Sequence, residues 1–139
     1  MKTLVVGAGA LGGIIGARLL AGGASVSLAT RNATAGEEIK ASGLRVIGIG
    51  GELFTEAGEV APLAEYSVPG TFDLIVLATK AQDAIDVAPR LLRLLTPGGI
   101  LLPIQNGGST TDAWKVARSA IRARWTLKPH RHNAEAWGI

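Results

Sequence analysis

The stretch Gly7-Ala8-Gly9-Ala10-Leu11-Gly12 constrains this chain more than any other. It follows Leu4, Val5 and Val6, an apolar run that reads as a buried strand. It leads into residues 11 to 20, where Leu11, Ile14, Ile15 and Leu19 fall on one helical face. Strand, glycine turn and helix are the opening of a parallel βαβ unit, and each glycine then has a task. Gly7 turns the chain off the strand, Gly9 lets the backbone approach a diphosphate, and Gly12 lets the helix close on the strand. The first N–H groups of the helix lack intrahelical acceptors and lie at the positive end of its dipole. Residues 7 to 12, with Ala8, Ala10 and Leu11 between the glycines, are therefore the candidate cradle for a dinucleotide. A glycine-rich turn can also be a plain corner; the strand before it and the helix after it favour the dinucleotide.

The length of 139 residues suits one domain with a real core. With 47% hydrophobic and 18% charged residues the composition is that of a soluble globular protein, and the absence of cysteine excludes disulfides and thiolate zinc sites. The cytoplasm is the expected compartment. The amino terminus resembles a signal peptide only superficially. Its uncharged stretch carries Gly7, Gly9, Gly12, Gly13 and Gly16, and Arg18 ends it short of the ~20 apolar residues that span a bilayer. No membrane partner is expected.

Along the chain, Gly22 and Gly23 stop the first helix and residues 25 to 30 alternate as a second strand. NAD-binding versions of this arrangement carry Asp or Glu near the end of that strand, to accept hydrogen bonds from the ribose. Here the place reads Ala29-Thr30-Arg31-Asn32, with no carboxylate. The Arg31 guanidinium can pair with a 2′-phosphate, aided by Thr30 and Asn32, so the expected cofactor is NADP(H). Residues 35 to 42 read as a short helix ended by Gly43. Residues 44 to 47 and 52 to 56 read as a hairpin around a glycine turn, and residues 57 to 71 as loop with a short strand near Val60.

Residues 72 to 78 are nearly continuously apolar, as a strand buried on both faces should be, and deliver Thr79 and Lys80 at their carboxyl end. Ligands of open parallel sheets gather at that end, so Lys80 is either a cofactor or substrate ligand or a solvated lysine at the sheet's rim. Residues 81 to 95 form an amphipathic helix with Ile85, Ala88, Leu92 and Leu95 on one face, bent or split at Pro89. Residues 96 to 99 end that helix. Residues 100 to 104 form a further strand, with Pro103 near an edge or an end, and lead into the polar turn Gln105-Asn106-Gly107.

With Gly7-Ala8-Gly9-Ala10-Leu11-Gly12, Arg31, Ala78-Thr79-Lys80 and Gln105-Asn106-Gly107 in this order, the chain resembles the amino-terminal domain of the 2-dehydropantoate 2-reductases, or ketopantoate reductases, over residues 1 to about 108. The resemblance implies a Rossmann-like α/β fold, a doubly wound parallel sheet with a hairpin insertion, which uses NADPH to reduce 2-dehydropantoate to (R)-pantoate in pantothenate biosynthesis. It implies that residues 7 to 12 hold the pyrophosphate and Arg31 the 2′-phosphate. Lys80 would lie near the ribose and nicotinamide, and Asn106 would touch cofactor and 2-keto acid substrate. Family members continue into a helical domain with a general-acid lysine and a substrate-binding glutamate, and neither can be placed before Ile139. The chain is thus expected to be a truncated enzyme that binds cofactor better than it catalyses.

Residues 1 to 108 hold eight Lys/Arg against nine Asp/Glu, whereas residues 109 to 139 hold six against two, with both histidines and all three tryptophans. This basic tail can be drawn as a helix over residues 112 to 126, with Trp114, Ala117, Ile121 and Trp125 on one face, or as sequence foreign to the family after a frameshift or early stop. Six scattered cations without a motif do not argue for nucleic acid. Missing sheet strands would leave an apolar edge, for which a homodimer is the expected remedy. Two function classes remain: an NADPH-dependent oxidoreductase represented by its cofactor domain, and a non-catalytic NADP(H)-binding module or inactive relic.

Overall fold

A computed structural model describes residues 1–104. Asn106, the Gln105-Asn106-Gly107 turn and the helix drawn over residues 112 to 126 lie outside the described residues. The chain order is β1 (Lys2–Val6), α1 (Ala10–Ala21), β2 (Ser25–Thr30), α2 (Ala33–Ser42), β3 (Leu44–Gly48), β4 (Gly51–Thr55), β5 (Glu59–Pro62), a 3-10 turn (Leu63–Glu65), β6 (Phe72–Leu77), α3 (Ala81–Leu94) and β7 (Leu95–Pro103). Five strands form one sheet in the order β5-β2-β1-β6-β7, every pair parallel, while β3 and β4 form the expected antiparallel hairpin. This is the Rossmann-like, doubly wound arrangement. From β1 the chain first moves outward through β2 to β5, then returns to the other side of β1 for β6 and β7.

The sheet is buried on both faces because its strands are apolar on both. Val5, Val26, Leu28 and Val76 pack with Ala17 of α1, and Leu4, Val6, Ile75 and Leu77 pack with Ala84, Ala88, Leu91 and Leu94 of α3. The crossover from β5 to β6 is pinned by Tyr66. Its hydroxyl donates to the Leu28 carbonyl at 3.1 Å and its ring meets Phe72 edge-on at 5.8 Å. Burial, with the Glu59 carboxylate adding to it, pushes the Tyr66 hydroxyl well above the usual phenol range, so it stays a neutral donor.

Four expectations need correction, in whole or in part. On α1, Ile15 and Leu19 pack against the core as expected, but the fully buried positions are Gly12, Gly16 and Ala17, and Ile14 is 43% exposed. The helix comes so close to the sheet that only small residues fit: a Cβ on Gly16 would stand 2.8 Å from a methyl of Leu28. The buried face of α3 is Ala84, Ala88, Leu91 and Leu94, rotated from the one drawn through Leu92 and Leu95, and Leu95 already belongs to β7. Pro89 does not split α3, which is continuous over fourteen residues. Pro89 lies on the exposed side, where the carbonyl it leaves unpaired can face water. The strand after α3 also starts earlier than expected, at Leu95, with an irregularity in register opposite Phe72 and Leu74.

At its amino edge the sheet is fastened by Asp73. One carboxylate oxygen accepts from the Lys2 backbone N–H at 2.8 Å and the other from the Thr96 hydroxyl at 3.1 Å, which ties β6 to the strands on either side. The hydrogen bond from Lys2, then that from Thr96, hold the Asp73 carboxyl below its ordinary value. A depressed folded-state value stabilises the protein above the unfolded aspartate range, and the effect is lost as pH falls through the folded-state value. Asp73→Asn should therefore melt below the unmodified chain at pH 7, with the gap closing as pH falls below the ordinary aspartate range, as followed by circular dichroism. A gap that persists in acid would show that the charge is not responsible.

Among the described residues β7 is an edge strand without a single charged residue, and it leaves Ile100 at 60% and Leu102 at 44% exposure. Edge strands are ordinarily blunted by charge. The chain is expected to self-associate through this edge, and Ile100→Lys should shift sedimentation toward monomer. An unmodified chain that sediments as monomer at tens of micromolar would refute this.

Candidate functional site

The parallel register brings the strand ends together. Val6 pairs with Ala29 and with Leu77, and Leu77 pairs with Pro103. The segments beyond the strands therefore leave from one edge: Gly7 after β1, Arg31 after β2, Ala78 to Lys80 after β6 and Ile104 after β7. Backbone bonds continue past the strands and lock this edge, from Gly7 N–H to the Ala29 carbonyl at 3.0 Å, Ala78 N–H to that of Val6 at 2.8 Å, and Ile104 N–H to that of Leu77 at 2.8 Å.

The glycine loop has the geometry its sequence requires. Gly7 sits at φ +94°, and a side chain there would also press on the Ala78 carbonyl at 3.0 Å and the Thr79 methyl at 3.1 Å. A Cβ on Gly12 would collide with the Gly7 carbonyl, so the first turn of α1 lies directly on the loop. Gly9 differs from both. It is the N-cap of α1, it is exposed, and a Cβ there would meet nothing within 4 Å. The space over Gly9 and Ala10 is open, at a helix N-terminus with no side-chain cap and no acidic residue in its first turn. That end is electropositive through its backbone alone.

The two candidate cations flank this opening. Arg31 is exposed and follows the last residue of β2. Lys80 is exposed at the N-cap of α3, and its carbonyl accepts from the N–H groups of Asp83 at 3.0 Å and Ala84 at 3.2 Å. Neither side chain has a hydrogen bond or ion pair among the described residues. Thr30 and Asn32, expected to help Arg31 hold a phosphate, have other work. Thr30 is buried and its hydroxyl donates to the Asn32 carbonyl at 2.8 Å, while Asn32 Oδ1 caps α2 by accepting from Ala35 N–H at 2.9 Å. Both side chains are committed to the backbone and shape the turn that presents Arg31.

Two features escaped the sequence reading. A groove of about 490 Å³ runs from Ala8, Gly9 and Ala10 along Gly13 and Ile14 of α1 to residues 43 to 47, so β3 of the hairpin forms its far wall. No local signal tells which element a hairpin will pack against. The second is Thr79, whose methyl lies against the glycine loop and whose buried side-chain oxygen has no hydrogen-bond partner among the described residues. A larger cavity, about 560 Å³, opens at the opposite edge of the sheet among Ser25, Glu59, Tyr66 and Phe72, away from the glycine loop and both cations. Among the described residues, it is at the carboxyl edge that an open backbone cradle and the unpaired candidate cations Arg31 and Lys80 come together.

Known proteins share this sequence pattern and fold. The sequence matches the family described as Ketopantoate reductase PanE/ApbA over residues 3–122, which extends beyond the resemblance drawn from motifs. It is 35% identical over 108 residues to a 2-dehydropantoate 2-reductase of Mesorhizobium japonicum, covering 77% of this chain and 32% of the relative. It is 33% identical over 110 residues to an uncharacterized oxidoreductase, YkpB, of Bacillus subtilis, covering 77% of this chain and 34% of the relative. Among solved structures, a D-mandelate dehydrogenase in a ternary complex with NADH and anilino(oxo)acetate aligns with a TM-score of 0.69 at 27% identity, over 84% of this chain and 37% of that one. The chain spans about a third of the length of these relatives. With its fold, its glycine loop and a family match over most of its length, the chain belongs to the ketopantoate reductase PanE/ApbA family.

Proposed function

We propose that this chain is the NADP(H)-binding part of a cytoplasmic 2-keto acid reductase, with 2-dehydropantoate as the first substrate to test. One observation carries the reading: an open glycine cradle at a helix N-terminus, with the unpaired cations Arg31 and Lys80 presented at the same sheet edge. The residues present fit the cofactor. The space over Gly9 leaves backbone N–H groups free to approach a diphosphate, and Thr79, whose methyl adjoins the loop, carries a buried hydroxyl without a partner among the described residues. When bound, the dinucleotide supplies a hydride to the carbonyl carbon of the substrate.

The chain's own residues bind and orient. The first turn of α1 takes the diphosphate. Arg31 takes the 2′-phosphate in a charge-assisted pair that NADH cannot form, and no carboxylate at the end of β2 is present to prefer an unphosphorylated ribose. Lys80 reaches toward the nicotinamide half, and Asn106 is proposed to contact cofactor and substrate. A relative of the same fold holds NADH, so the nicotinamide dinucleotide class is common ground and the choice of phosphate rests on Arg31. The named relatives are oxidoreductases, which favours an enzyme's cofactor domain over a stand-alone binding module.

Calorimetric titration tests the reading. NADPH should bind at least about tenfold more tightly than NADH, a difference of about 1.4 kcal/mol. Arg31→Ala should remove most of that preference while changing NADH binding by less than about threefold. Equal losses for the two cofactors would dismiss Arg31 as the phosphate ligand. The glycines separate fold from function: Gly9→Ala should melt like the parent and bind NADPH at least about tenfold more weakly, because its methyl fills only the cradle. Gly12→Ala should cost about 1–3 kcal/mol or more of stability, because its methyl strikes the Gly7 carbonyl. A Gly9→Ala chain that binds NADPH normally would dismiss the cradle.

A further inference from the structure

Two buried hydroxyls lack partners among the described residues, those of Thr3 and Thr79. Their settings differ. Thr3 is 1% exposed within β1, flanked in register by Val26 and Leu74, and lines neither cavity. Thr79 follows the last residues of β6 at the carboxyl edge. Its methyl stands 3.1 Å from where a Gly7 Cβ would be, and the next residue is the N-cap of α3. Thr79 as a residue is partly exposed although its Oγ1 is not. Rotation about its Cα–Cβ bond exchanges the γ positions of a threonine, so one rotamer step can carry the hydroxyl from its buried position toward the rim.

A buried hydroxyl without a partner is unfavourable compared with an isosteric methyl, and valine would fill the same space. The oxygen costs the free protein stability and returns nothing to the fold. We infer that the Thr79 hydroxyl is a ligand of the nicotinamide dinucleotide, hydrogen-bonding a phosphate or ribose oxygen where that molecule passes between the glycine loop and Lys80. Thr79 forms the wall between those two elements, and the ligand chemistry a lone hydroxyl serves there is an oxygen-rich one. This inference rests on the cofactor reading proposed above.

The test compares Thr79→Val, Thr79→Ser and Thr3→Val with the unmodified chain, each by thermal melting and by titration with NADPH. Thr79→Val should melt at or above the unmodified chain yet bind NADPH about tenfold more weakly. Thr79→Ser, which keeps the oxygen, should retain binding within about threefold. Thr3→Val should gain stability and bind normally, which separates loss of a ligand from loss of any buried hydroxyl. Normal binding by Thr79→Val, when the unmodified chain binds, overturns the inference alone. A lower melting temperature for Thr79→Val also overturns it, since the hydroxyl would then have a structural partner in the free protein. Absence of NADPH binding by the unmodified, folded chain overturns the cofactor reading and this inference with it.

Discussion

The contact on which the rest of the molecule depends is that of Gly12 with the Gly7 carbonyl. It is an approach no side chain could permit, and it sets the height at which α1 rides over the sheet. At that height Gly16 and Ala17 fit over Leu28 and its neighbours, with Ile15 and Leu19 packed beside them and Ile14 left outside. The same closeness aims the helix N-terminus at the space beyond β1. In the cofactor reading proposed above, diphosphate affinity and helix packing would consequently be linked: a bulkier residue on the inner face of α1 would move both. The weak apolar stripe of α1 is thus a consequence of close packing, and does not mark a marginal helix.

The register of the sheet extends this geometry across the site. A parallel sheet needs crossovers, and these return each strand to start at one edge and finish at the other. Because β1, β2, β6 and β7 end nearly level, loops far apart in sequence become neighbours at the carboxyl edge. The amino edge carries the fastenings. Asp73 links three strands there, and Tyr66, bonded to Leu28 and packed edge-on against Phe72, secures the crossover from β5 to β6. Side-chain fastenings thus lie toward the amino edge, while the carboxyl edge is held by backbone bonds and leaves the side chains of Arg31 and Lys80 unpaired among the described residues.

This division explains how much could be read from the chain. The strands at Leu4, Val5 and Val6, at residues 25 to 30 and at residues 72 to 77 were legible because burial on both faces demands unbroken or small apolar residues. The hairpin was legible from its glycine turn, and Arg31 and Lys80 from their place after strands. The faces of α1 and α3 were legible only in part. Periodicity counts large apolar residues and so finds Ile15 and Leu19, whereas the buried positions also include Gly12, Gly16, Ala17 and Ala84, which that count discounts. Thr30 and Asn32 misled for a related reason. Hydroxyl and amide groups beside an arginine suggest a phosphate pocket, yet both are absorbed by local backbone bonds that only the turn reveals. Thr79 was legible only as part of the strand-ending Ala78-Thr79-Lys80 motif, because the missing hydrogen bond of its hydroxyl is a property of the packed state.

In the cofactor reading proposed above, the exposure of Arg31 also bounds how selective this site would be. An exposed ion pair contributes about 0–1 kcal/mol, and a hydrogen bond to a charged group about 1.5–3 kcal/mol. Arg31 is solvated, follows a turn held by Thr30 and Asn32, and has no carboxylate nearby to orient it. Its pairing with a phosphate must therefore first order a free side chain and displace water. The preference for a phosphorylated ribose should accordingly fall in the range of one to two decades, each worth about 1.4 kcal/mol. A much larger preference would require a second cation at the end of β2, and among the described residues Arg31 is the sole cation between Arg18 and Lys40. Selectivity of this modest kind leaves the site able to accept either dinucleotide when one is in large excess, with Arg31 setting the balance.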